Sequence, residues 1–206
     1  MGKSCDLLLG KSLHPDRKQF NLSYLIAERY NRWAKYEEDM LSWNWTLPTH
    51  VSEFINKHIS LEDKTVAEIG IGSGLLSKQH GGSDWDGYDI SWRMCELSKP
   101  YYKSVTILDI VKKPLPQKYD FIVLCGVFAE GLLDATAIDN IIESLNEGGQ
   151  ILTTFPCFKN YKNRSGWNDQ NKLEEVLRSE PYYTWDDPQH PKPKYNEILL
   201  WDLKGE

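Results

Sequence analysis

The chain has 206 residues, enough for one well-buried domain and short for two. Its composition, 40% hydrophobic and 26% charged, is that of a globular protein, and the net charge of −6 argues against a nucleic-acid partner, which would bring a basic excess. The four cysteines form no C-x-x-C pair, so zinc is not expected and the thiols should be reduced, as in the cytoplasm.

No hydrophobic run at the N-terminus is long enough for a signal peptide. From Lys18 to about Trp45 the chain is aromatic, charged and helix-compatible. Leu22, Leu25, Ile26, Tyr30, Trp33 and Tyr36 recur at helical spacing and give one apolar face. This segment is either core cover or a lid. Pro48 then opens a second helix with Val51, Phe54, Ile55 and Ile59 on one side.

After Asp63 the pattern alternates. "TVAEIG" reads as strand, "SGLLSKQ" as helix, "WDGYDI" as strand, "SWRMCELSK" as helix and "SVTILDI" as strand. "KYDFIVLCGV" is a strand whose apolar run is too short to cross a membrane. "DATAIDNIIESLN" follows as helix and "GGQILTTF" as strand. Such alternation predicts an α/β fold, a mostly parallel sheet covered on both faces. In the tail, "NDQNKLEEVLRSE" is helix-like, while "PYYTW" and "NEILLWDLK" read as two strands of an antiparallel hairpin at one sheet edge. The whole is one domain: a helical cover at about 16–60, a core at 64–156 and a C-terminal region at 157–206.

The first strand runs into Gly70, Gly72 and Gly74, a loop that a ligand can approach closely. In open α/β sheets that position is the default ligand site. A dinucleotide fingerprint would need glycine where Leu75 stands, and no Gly-Lys-Ser/Thr closes the loop as a phosphate-binding loop requires. Glu68, two residues before the first glycine, would repel a pyrophosphate and suit an ammonium group. These features point to S-adenosylmethionine and away from a nicotinamide oxidoreductase. Asp89 ends the second strand, where a carboxylate can accept both ribose hydroxyls. Asp109 ends the third, where it can take the adenine amine, and Ile90 and Ile110 can sandwich the ring.

"VAEIGIGSG", "GYDIS", "ILDI", "KYDFIVLCGVFAEGLL" and "LNEGGQILTTF" resemble, in order, the motifs of class I S-adenosylmethionine-dependent methyltransferases. The resemblance covers roughly residues 50–156. It implies a Rossmann-like seven-stranded sheet with an antiparallel C-terminal hairpin and an N-terminal helical lid. "YNRWAKYEEDM", "YDISWRMCELSKPYYKSV" and "CGVFAEG" are similar to the small Williams–Beuren-region type, from which the tyrosine spacing at Tyr36 and the C-terminal third depart.

Carried over, the resemblance makes Glu68, Gly70 and Gly72 contacts for the methionine end, with Ile71 and Gly74 in the same loop. Asp89 becomes the ribose ligand, and Asp109 with Ile110 the adenine contacts. Cys125, Gly126 and Val127 border the sulfonium and the acceptor, and Tyr30 and Trp33 close over the cofactor. Glu130 is the candidate for contacting the acceptor, with Tyr24 and Tyr36 behind it. The five histidines form no ligand pair, and no metal is expected. "LCGV" lacks the Asn/Asp-Pro-Pro-Tyr signature of base-amine methyltransferases, so a small-molecule acceptor is expected ahead of a protein side chain. A cofactor-binding protein without transferase activity is the alternative.

Overall fold

A computed structural model describes residues 15–128, 133, 135–157, 166–167, 171–185 and 194–205, with side chains from Leu22 onward apart from Ala135. Three helices lead: α1 (Pro15–Arg32), α2 (Tyr36–Ser42) and α3 (Leu47–His58). The segment expected as one helix to Trp45 is thus broken at residues 33–35. Trp33 turns inward there and its Nε1 donates to Asp39 Oδ2 in α2 at 2.7 Å. Tyr36, Met40 and Met94 form a small separate core with Tyr30, Trp33, Trp43 and Trp45 packed on it. Aromatic burial at the bend outweighs helix continuity.

The alternating region gives β1 (Val66–Ile69), α4 (Leu75–His80), β2 (Asp86–Asp89), α5 (Trp92–Ser98) and β3 (Ser104–Ile107), then β4 (Tyr119–Leu124), α6 (Ile138–Glu143) and β5 (Leu145–Pro156). The first five strands are parallel, in the order β3-β2-β1-β4-β5. Side chains alternate between the two faces with the strand period of two. Ala67, Ile122 and Ile151 face one core, beside Ile138 and Ile141 of α6. Val66, Phe121 and Leu152 face the other, beside Val51, Phe54 and Ile55 of α3. Among the described residues no helix is long and apolar enough to cross a membrane.

The C-terminal strands are β6 (Leu173–Arg178), β7 (Tyr182–Trp185) and β8 (Lys194–Leu203). Two expectations change here. The helix read in "NDQNKLEEVLRSE" is a strand where Leu173–Arg178 pairs with β8, because its burial alternates residue by residue and pairing overrides the helix propensity of Leu, Glu and Arg. The hairpin β7–β8 exists, yet β8 is not an edge strand. It lies antiparallel between β5 and the outermost strands, with β6 on its C-terminal half and β7 on its N-terminal half. The eight strands therefore occupy seven positions, the last shared by β6 and β7 end to end. Glu174, Glu175 and Arg178 put charge on that edge, which discourages pairing with another chain.

Candidate functional site

The site is built at the carboxyl ends of the parallel strands. Glu68 in β1 is 2% exposed and accepts a hydrogen bond from the Tyr102 hydroxyl at 2.7 Å. Burial pushes its carboxyl up to about 8; the Tyr102 hydroxyl opposes the shift and the nearby Asp89 adds to it. The chain then turns through Gly70 and Gly72 at φ +74° and +52°, in the left-handed region. A Cβ on Gly70 would lie 2.0 Å from Val127 Cγ1, and one on Gly72 would lie 3.0 Å from the Tyr36 hydroxyl. These two glycines let the loop pass directly beneath Val127 and Tyr36.

The two strand-end acids hold their loops. Asp89 at the end of β2 accepts from the Gly72 amide on Oδ2 at 3.0 Å and from the Ser91 amide on Oδ1 at 2.8 Å. Its carboxyl is pushed up to about 6 by burial, against those amide hydrogen bonds. Asp109, just beyond β3, accepts from the Val111 amide at 3.1 Å, and Lys112 Nζ lies 3.1 Å from its Oδ2. After β4, Gly126 turns at φ +73°, donates its amide to Thr154 Oγ1 at 2.8 Å and leaves room for Trp45, whose ring a Cβ there would meet at 2.9 Å. Cys125 beside it is buried, and burial together with Glu68 raises its thiol well above the usual range.

Over these loops lie the aromatic residues of the N-terminal helices. Trp33 and Tyr36 meet edge to face at 5.1 Å, and Tyr30 lies 5.9 Å from each. The Arg29 guanidinium sits over Tyr30 and Trp33 at 5.7 and 5.5 Å. Burial raises the Tyr36 hydroxyl well above its ordinary value, with Tyr30, Asp89, Cys125 and Glu68 adding to the shift. Tyr36 therefore stays protonated as a hydrogen-bond donor.

Between lid and loops is a cavity of about 420 Å³. Glu68, Gly70, Ile71, Gly72, Asp89, Ile90, Asp109 and Ile110 line it, together with Cys125, Gly126 and Val127. Tyr30, Trp33 and Tyr36 line it from the lid. Gly74 stands apart: it caps α4 at φ +84° and packs against Tyr101, Ser98 and Tyr102. Tyr24 is also not brought to the site, being 61% exposed on α1 outside the cavity. Glu130 lies outside the described residues.

Several site residues carry no local sequence signal. Tyr102, Asn31 and Trp45 reach it only through contacts made by the folded chain. Beyond the strand-end acids, the wall over β4, β5 and β8 includes Met40, Trp45, Pro156, Trp185, Tyr195 and Asn196. Trp185 stacks on Trp43 at 5.7 Å, and the Thr46 amide donates to the Thr184 carbonyl at 3.1 Å, so the lid is fastened to β7.

No family model matches the chain, and no curated protein matches its sequence. Solved structures do match. Magnesium protoporphyrin IX methyltransferase from Synechocystis PCC 6803 with bound SAH superposes with a TM-score of 0.63 at 15% identity, covering 90% of this chain and 99% of the other. The N-methyltransferase NodS from Bradyrhizobium japonicum WM9, in complex with S-adenosyl-L-homocysteine, gives 0.59 at 17% identity over 89% and 99%. Ribosomal protein L11 methylase from Lactobacillus delbrueckii subsp. bulgaricus gives 0.58 at 19% identity over 77% and 79%. The three names imply different acceptors, so the likeness lies in architecture. The chain has the class I fold of the S-adenosylmethionine-dependent methyltransferases.

Proposed function

We propose that the protein is an S-adenosylmethionine-dependent methyltransferase acting on a small-molecule acceptor. The observation that carries this reading is the convergence of Glu68, Asp89, Asp109 and the loop at Gly70–Gly72 on one cavity beneath an aromatic lid. The donor set suits the ligand. Each Asp89 oxygen accepts one amide and keeps a lone pair for a ribose hydroxyl. Glu68 faces the space beside Gly70, where an ammonium group would meet a carboxylate with no cation among its hydrogen-bond partners. Asp109 stands where an exocyclic amine can donate to it, with Ile90 and Ile110 for the flat faces of a base.

When bound, S-adenosylmethionine supplies a methyl group already activated by a sulfonium. The chain's own contribution is to align, desolvate and hold protons. Met40, Trp45 and Trp185 give the acceptor half an apolar wall that excludes water. Tyr36 and Cys125, both held protonated, can donate a hydrogen bond to an acceptor but cannot take its proton near neutral pH. An acceptor that must lose a proton would need another base, and Glu130 is the residue we assign to that contact. The aromatic lining of the cavity and the net charge of −6 favour a small molecule over a protein or nucleic acid. The buried thiols Cys95 and Cys125 are free, which fits a reducing compartment such as the cytoplasm.

Calorimetry with S-adenosylmethionine and S-adenosylhomocysteine is the direct test, followed by a metabolite screen with deuterated methyl donor read by mass spectrometry. Binding of both, with label in a small molecule, is expected. Absence of binding by the folded protein would overturn the reading, and binding without transfer to any acceptor would leave a cofactor-binding protein in its place.

A further inference from the structure

The lid and the ribose side of the cavity share one chain of hydrogen bonds. Ser91 follows β2 and is completely buried. Its amide donates to Asp89 Oδ1 at 2.8 Å, and its Oγ caps α5 by accepting from the Met94 amide at 3.2 Å. The side chain's one donor, the hydroxyl proton, goes to Asn31 Oδ1 in α1 at 2.8 Å. The same Asn31 oxygen lies 3.4 Å from the Arg93 amide, and Arg93 Nη2 donates to the Ala34 carbonyl at the lid bend, also at 3.4 Å. On its other oxygen Asp89 accepts the Gly72 amide, and Tyr36 from the lid rests on Gly72. The lid thus holds the acid and its loop from two sides.

We propose that Asn31 is a positioning residue that couples docking of the lid to binding of a ribose at Asp89. The inference rests on the proposed cofactor and adds to it a residue that makes no contact with the ligand itself. Without the Asn31 oxygen the Ser91 hydroxyl has a buried proton and no acceptor. It must then rotate away from its capping geometry or leave its place, and the amide that orients Asp89 moves with it. Coupling of this kind is reciprocal: a ligand that engages Asp89 stabilises the docked lid to the same degree that the docked lid strengthens the ligand.

The test is calorimetry of the full chain with three probes, S-adenosylhomocysteine, adenosine and adenine. Asn31→Ala lowers affinity for the first two about tenfold, the loss of one buried hydrogen bond, and leaves adenine, which lacks the ribose, unchanged. Asn31→Asp keeps an oxygen acceptor for both donors and restores most of the affinity. In an Asp89→Ala background, which removes the acceptor of the Ser91 amide, the Asn31→Ala loss disappears, because both changes break one chain. Equal losses for adenine and adenosine, or additive losses in the double variant, would overturn the inference while leaving the cofactor reading intact. Failure of the unaltered protein to bind any S-adenosyl compound would overturn both. Should Asn31→Ala not fold, amide hydrogen exchange of the unaltered protein decides. Adenosine, unlike adenine, is expected to protect residues 23–36, and equal protection by the two overturns the proposal.

Discussion

Tyr102 donates its hydroxyl to Glu68 across 2.7 Å, and among the described residues this is the one side-chain hydrogen bond made to a carboxyl that burial has pushed up to about 8. At pH 7 burial therefore keeps Glu68 mostly neutral until a cationic ligand binds. A ligand carrying an ammonium group favours the ionised form, so binding must expel the proton. Calorimetry in two buffers of different ionisation heat is expected to show release approaching one proton at pH 7, with affinity rising from pH 6 to pH 8. Glu68→Gln removes most of the release at pH 7 and leaves only the dependence contributed by Asp89 near pH 6. Unchanged proton release in that variant would assign the effect to another group.

The same carboxyl makes the empty protein pH-sensitive. Its folded-state value lies above the unfolded value of 4.5, so the native chain retains a proton that the unfolded chain gives up. Its contribution is fully present below pH 4.5 and is lost as the pH rises towards 8. Asp89, raised to about 6, acts in the same direction over a lower window. Melting temperatures of the empty protein, followed from pH 5 to pH 8.5, are expected to fall more steeply than those of Glu68→Gln. The gap between the two should be widest at the alkaline end.

Much of this site can be read from sequence because its parts are local. Glycines at every second position after a β-branched strand, and acids at the ends of the next two strands, are fixed by their own neighbours. Strand–helix alternation likewise gives a mostly parallel sheet covered on both faces. What is not local is not legible. The bend at residues 33–35 depends on Trp33 reaching Asp39 and on rings that meet only after folding. β6 carries helix-forming residues and becomes a strand because β8 offers an open edge. Asn31 and Tyr102 join the site across separations of 60 and 34 residues, and nothing in either residue's surroundings announces it.

Gly70 is expected to tolerate no side chain. Its φ of +74° strains an L-residue, and the added Cβ would stand 2.0 Å from Val127 Cγ1. Gly70→Ala should cost about 2 kcal/mol or more by thermal denaturation, combining backbone strain with overpacking. Adding Val127→Ala removes the clash but not the strain, so it should recover part of the stability. Full recovery would mean that the left-handed turn contributes nothing.

Asp89 and Tyr24 give a contrasting pair within the candidate residues. Asp89→Ala removes the acceptor of two backbone amides, Gly72 at 3.0 Å and Ser91 at 2.8 Å, together with the proposed ribose contact. It is expected to weaken S-adenosylhomocysteine binding by about 1–3 kcal/mol for the lost ligand contact, and to lower the melting temperature because buried amides lose their partner. Asp89→Asn, with one oxygen left, should fall between. Tyr24 is 61% exposed and lies outside the cavity, so Tyr24→Ala should leave binding unchanged and stability within about 0.5 kcal/mol. Affinity lost on Tyr24→Ala would show that α1 closes further over the ligand than its packing here requires. Affinity kept on Asp89→Ala would move the ribose away from β2 altogether.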